Sequence, residues 1–161
     1  MVWLMLHQRL DLAFILFVLA GVSDAVDGWL ARALRLQSRL GALLDPVADK
    51  ALLISAYVIL AVIGLLPDWL AILVVFRDVM IMGGLILVWQ LGLRPPIAPL
   101  LVSKLNTLAQ VALAATAMLL AGFGLEGEPL LWALIWIVAG STIASGAAYL
   151  RGAARLLSGR G

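Results

Sequence analysis

Cysteine is absent from the chain and histidine occurs once, as His7. Without cysteine there are no disulfides, no zinc thiolates and no cysteine nucleophile. His7 stands beside Gln8 and Arg9, which reads as an interfacial position and not as a metal ligand. Charge is also scarce: 12% of residues are Asp, Glu, Lys or Arg, and the net charge is +2. The basic residues are scattered among apolar runs and form no tract, which excludes nucleic acid as a partner. No basic leader with a short apolar core and a small-residue cleavage site opens the chain, so no cleavable signal peptide is expected. No unit of about 20–50 residues recurs.

Apolar side chains fill the chain instead. Of its 161 residues 65% are hydrophobic, and the mean hydropathy is +1.14; a soluble domain is closer to half apolar. The expectation is an all-α integral membrane protein. It would be a single domain over 1–161, a polytopic transmembrane helix bundle of five full spans plus the remnant of a sixth, first helix. The spans read as 11–34, 42–66, 69–91, 100–122 and 130–150. Residues 1–8 are apolar but far short of the roughly 20 needed to cross a bilayer, and read as the end of a helix. Arg32, Arg35, Arg39, Arg94 and the tail with Arg151, Arg155 and Arg160 fall on one side by alternation. Asp68, Glu126 and Glu128 fall on the other, with Arg9 as the exception. The basic side is therefore expected in the cytoplasm.

Four carboxylates sit inside this apolar chain. Asp24 and Asp27 are spaced i, i+3 near the end of the first full span, and Asp45 and Asp49 are spaced i, i+4 near the start of the second. On helices each spacing puts its pair on one face, about a turn apart. The short Arg-rich connection lets the two helix ends be antiparallel neighbours, with all four carboxylates at one point near one membrane face. A charged carboxylate at membrane depth costs about 2–3 kcal/mol or more, and Arg32 and Lys50 at the margins are too few to neutralise four. Divalent metal ions fit the need, and hard oxygen ligands point to Mg²⁺ or Mn²⁺ over zinc. Gly28 and Ala31 are small residues that let a ligand come close.

Further along, Arg77-Asp78 interrupts the third span, and two readings stand. It is a self-neutralising structural pair, or Arg77 faces a polar cavity and contacts a phosphate. A polar patch follows at Ser103-Lys104 and Asn106-Thr107, and hydroxyl and small residues run from Gly140 to Ala148. Arg151 and Arg155 read as a juxtamembrane anchor on anionic lipid or as further phosphate contacts.

The pattern Asp-x-x-Asp-Gly-x-x-Ala-Arg, eight residues, Gly-x-x-x-Asp-x-x-x-Asp is met at Asp24, Asp27, Gly28, Ala31, Arg32, Gly41, Asp45 and Asp49. It resembles the CDP-alcohol phosphatidyltransferase family. Arg77-Asp78-Val79-Met80, the stretch from Val102 to Thr107, Gln110, and Thr142 to Tyr149 resemble the CMP-forming cardiolipin synthase branch. The sister phosphatidylglycerophosphate synthases usually carry Arg-Glu where Arg77-Asp78 stands.

The resemblance implies six transmembrane helices and transfer of a phosphatidyl group from CDP-diacylglycerol to an alcohol, with release of CMP. The acceptor would be phosphatidylglycerol, or alternatively glycerol 3-phosphate. It implies two divalent metals, one on Asp24, Asp27 and Asp45 and the other on Asp24, Asp45 and Asp49. Asp49 would also be the general base. Asp27, Gly28, Ala31, Arg32 and Gly41 would bind the CDP end, and Arg77, Lys104 and Arg151 the acceptor phosphate. A homodimer through the later helices and a site at the cytoplasmic face, in a bacterial inner membrane, are implied as well. Of the family's first helix, residues 1–8 match only the end.

Two readings of other classes compete. Intramembrane carboxylates also mark ion transporters, but those tend to show paired broken helices in two related halves. A non-catalytic membrane assembly protein would insert correctly and turn over no CDP-lipid.

Overall fold

In lipid, backbone N–H and C=O groups have to be paired within their own segment, so long apolar runs fold as helices. The computed structural model describes residues 1–33, 41–90 and 101–158, of which 24, 25, 27–33, 41–49, 85–89 and 153–158 are described by their backbone alone. Six helices follow one another: α1 (Val2–Leu6), α2 (Leu10–Ala33), α3 (Gly41–Val62), α4 (Asp68–Gln90), α5 (Leu101–Phe123) and α6 (Glu128–Ser158). No strand occurs among the described residues. The connections carrying Arg35, Arg39 and Arg94 lie outside them, as does Arg160.

Five long helices fall on the five stretches read as helical, with two differences in their ends that have local causes. α3 ends at Val62 instead of reaching position 66, because Gly64 takes φ 78°. The N–H groups of Leu65 and Leu66 then turn back onto the Leu60 carbonyl at 2.8 and 3.1 Å, closing the helix end. α6 continues past position 150 to Ser158, so Arg151 stands on a helix. Pro46 is the sixth residue of α3. It therefore lies beyond the unpaired N–H groups of the first turn and leaves the carbonyl four residues back without its helical partner. α1 is separated from α2 by a break at Gln8, which has φ 59°.

Among the described residues two helices are long and apolar enough to cross a membrane by length and composition, Leu101–Phe123 and Glu128–Gly152. The distribution of side chains is that of a membrane protein. On α4, Phe76 and Val79 are 66% and 58% exposed, while Arg77 and Asp78 between them are 3% and 1% exposed. Asn106, Gln110, Thr142 and Ser145 are buried too, and Ile72, Trp136 and Ile143 face outward. Water would sort these residues the other way round.

α5 packs against α2, α3 and α6, and α4 against α3 and α6. The contacts show the directions. Phe14 of α2 meets Phe123 of α5 edge-on at 6.3 Å, so these helices are antiparallel. Trp69 lies 5.8 Å from Trp136, and Arg77 bonds Ser145, so α4 and α6 run the same way. The motif-bearing ends of α2 and α3 thus lie at the same end of the bundle as Lys104 and Arg151, and Asp68, Glu126 and Glu128 lie at the other. At that second end α5 and α2 approach closely. A Cβ added at Gly122 would fall 2.5 Å from the Asp11 nitrogen and 2.7 Å from the Leu10 carbonyl carbon.

Candidate functional site

Asp24, Asp27, Gly28, Ala31 and Arg32 lie along continuous helical backbone in α2, and Gly41, Asp45 and Asp49 along α3. The helical spacing expected for both aspartate pairs is therefore present, so each pair shares a helix face. The side chains of these eight residues lie outside the described ones. No group of three or more His, Asp or Glu that could hold a metal ion occurs among the described residues. Four carboxylates on two helix ends are a hard, all-oxygen donor set, which fits Mg²⁺ or Mn²⁺.

Beside this end of the helices is a cavity of about 470 Å³. α2 supplies Phe17, Gly21 and Val22 to its wall, α3 supplies Lys50 and Leu53, and α5 supplies Thr107. Gly21 and Val22 lead directly into Ser23-Asp24, and Lys50 directly follows Asp49, so the cavity abuts both halves of the motif. Its lining is apolar apart from Lys50 and Thr107. Val18, Val22 and Val111 of the lining are exposed on the outside of the bundle, so the cavity opens sideways.

A buried polar cluster sits where α3, α4, α5 and α6 meet. Arg77 Nη1 donates to Asp78 Oδ1 at 2.6 Å, and Nη2 donates to Ser103 Oγ at 2.7 Å and to Ser145 Oγ. The Lys50 ammonium forms an ion pair with the same Asp78 Oδ1 at 2.7 Å. One turn further along α5, Asn106 Oδ1 accepts from Ser141 Oγ at 2.7 Å and from Thr142 Oγ1 at 2.9 Å. A further turn on, Tyr57 Oη donates to the Gln110 carbonyl at 3.1 Å. Arg77 Nε, Asp78 Oδ2, Asn106 Nδ2 and the Gln110 amide make no hydrogen bond with the described residues.

Of the three cations expected at the acceptor, Arg77 is buried with both terminal nitrogens engaged, whereas Lys104 and Arg151 are exposed. The structure brings Arg77 together with Asp78, as the pairing reading expected, and adds a partner that reading lacked, Lys50. The sequence shows Lys50 and Asp78 as charges on different spans, each with a nearer opposite charge beside it, so their pairing emerges only from helix packing. The side-chain network through Ser103, Ser145 and Asn106 is spread over three helices, and its pairing depends on how they pack.

A family model described as CDP-alcohol phosphatidyltransferase matches residues 1–144. A chloroplastic CDP-diacylglycerol-glycerol-3-phosphate 3-phosphatidyltransferase from Oryza sativa subsp. japonica is 34% identical over 91% of this chain and 50% of its own length. The Bacillus subtilis protein named for the same reaction is 36% identical over 84% of this chain and 69% of its own length. A Homo sapiens cardiolipin synthase (CMP-forming) is 31% identical over 91% of this chain and 54% of its own length. The chain spans about half the length of the rice and human relatives.

Proposed function

The chain belongs to the CDP-alcohol phosphatidyltransferase family, and on that premise we propose that it transfers a phosphatidyl group from CDP-diacylglycerol to an alcohol, releasing CMP. The observation that carries this reading is the complete aspartate pattern on two helix ends that abut a sideways-opening apolar cavity. All five long helices cross a bacterial inner membrane, with the motif end at the cytoplasmic face, where a nucleotide can reach it. One apolar chain of the donor enters the cavity from the lipid, and its polar end lies towards the aspartates.

Asp24, Asp27, Asp45 and Asp49 hold two divalent ions, Mg²⁺ or Mn²⁺, which supply charge neutralisation at the pyrophosphate. Asp27, Gly28, Ala31, Arg32 and Gly41 bind the CDP end, where the small residues leave room and Arg32 meets the phosphates. The acceptor hydroxyl oxygen attacks the phosphorus that bears the diacylglycerol. A new P–O bond forms, the P–O bond to CMP breaks, and the hydroxyl proton passes to the Asp49 carboxylate as general base. Lys104 and Arg151, exposed at the motif-bearing end, draw in the acceptor's phosphate, and Arg77 stands behind them in its buried pair with Asp78.

Phosphatidylglycerol is the proposed acceptor, on the Arg77-Asp78 pair and the Val102–Thr107 stretch. The names of the rice and Bacillus relatives favour a second reading, glycerol 3-phosphate. The purified protein is incubated with CDP-diacylglycerol and each acceptor separately, and the lipid products are separated. Cardiolipin formed only with phosphatidylglycerol is the expected result. Phosphatidylglycerophosphate formed only with glycerol 3-phosphate contradicts it and supports the second reading.

A further inference from the structure

Asp78 is 1% exposed, and at this carboxylate the motif-bearing end of α3 is fastened to the rest of the bundle. Its Oδ1 takes the Lys50 ammonium at 2.7 Å and the Arg77 guanidinium at 2.6 Å. Arg77 continues to Ser103 on α5 and Ser145 on α6. One carboxylate therefore ties α3, through Lys50, to three other helices.

The tie is placed where it bears on the motif. Lys50 directly follows Asp49, and both lie on unbroken helix. At 3.6 residues per turn, position 50 is about 100° round the axis from position 49, and positions 45 and 49 share a face. Holding position 50 against α4 sets the rotation of this turn of α3, and with it the direction in which the 45/49 face looks. Aliphatic contacts would tolerate rotation better than an ion pair made to a carboxylate that is itself fully buried. Pro46 removes one backbone hydrogen bond from the same stretch, so the turn needs an external hold.

We propose that Asp78 is a positioning residue that, by holding Lys50, orients the face of α3 carrying Asp45 and Asp49. This rests on the reading above that Asp49 takes the acceptor's proton. Asp78 touches no reacting atom. A misplacement of about 1 Å at a reacting group costs on the order of a hundredfold in rate, which sets the scale of the effect.

The test uses the full chain in detergent, with kcat and KM for CDP-diacylglycerol, calorimetric binding of CDP, and the melting midpoint. Lys50→Met is the main variant, because it leaves Asp78 paired with Arg77 and so spares the buried carboxylate. The expected result is a fall in kcat of about ten- to a hundredfold, with KM and CDP affinity within about threefold of the parent. Lys50→Arg restores most of the rate. Where Asp78→Asn folds, its loss and that of Lys50→Met do not multiply in the double variant.

A raised KM with kcat retained overturns the proposal and makes Lys50 a substrate contact. Losses that multiply, or an unchanged kcat in Lys50→Met, overturn it as well, while the parent's CMP release keeps the transferase reading intact. A parent that releases no CMP overturns both.

Discussion

Two glycines show how much of this protein is decided one atom at a time. Gly122 stands where α5 meets the backbone of α2, and an added Cβ would sit 2.5 Å from the Asp11 nitrogen, which cannot swing aside as a side chain would. Gly140 also lies in a helix interior, yet a Cβ there meets nothing within 4 Å. Gly122→Ala is expected to destabilise by about 1–3 kcal/mol through overpacking. Gly140→Ala should be neutral or stabilising by about 0.5–1 kcal/mol, the ordinary gain of alanine over glycine in a helix. Melting midpoints of the two variants against the parent, measured in one detergent, check the contrast; equal shifts would mean that α2 and α5 do not touch at Gly122. A sequence shows two glycines in apolar helices and no difference between them.

At the scale of the helix, α2 and α5 share the cavity wall with α3, and this joins the motif to the lipid. Gly21 lies on that wall one turn before Asp24, and a Cβ there meets nothing within 4 Å. A larger residue at this position fits the fold while it fills the cavity. Gly21→Leu is expected to keep the parent's melting midpoint and to raise KM for long-chain CDP-diacylglycerol about tenfold, or about 1.4 kcal/mol. KM for a short-chain donor should change little. Turnover across a series of donor chain lengths reads this directly, and an equal effect at every length would place the acyl chain elsewhere.

The helices themselves were legible from the sequence: hydropathy locates α3 to α6 to within a few residues at most ends. The α3 terminus was misplaced because Leu65 and Leu66 continue the apolar run after the helix has closed on Gly64. The last span was ended at position 150, where Arg151 breaks the apolar pattern, whereas the helix continues past it to Ser158.

Among the described residues of the long helices, strongly polar side chains are buried beside the apolar core, and many large apolar ones face outward. Arg77, Asp78, Asn106 and Gln110 are interior, while Ile72, Phe76 and Trp136 are exterior. Such a protein is stable where its surroundings are apolar, and this makes sense of a chain that is 65% hydrophobic yet buries few of its largest side chains. The aspartate pattern was legible in full, because its information is carried by spacing along two helices. Of the Lys50–Asp78–Arg77 tie only the Arg77–Asp78 pairing was legible, since residues 50 and 78 belong to different helices and meet only after these pack. The side cavity was not legible at all: its wall is made of Phe17, Gly21, Leu53 and similar residues that look like any other membrane-facing positions.

The central claim is that the four aspartates serve phosphatidyl transfer from a CDP-lipid. The most direct measurement is CMP release by the purified chain from CDP-diacylglycerol with phosphatidylglycerol and glycerol 3-phosphate both present. It is made with Mg²⁺ or Mn²⁺, after chelation, and for Asp49→Ala. Release is expected with the metal, none after chelation, and a loss in Asp49→Ala of at least about a hundredfold, the scale of a missing general base. Release that persists undiminished in Asp49→Ala, or no release by the folded parent under any of these conditions, would contradict it.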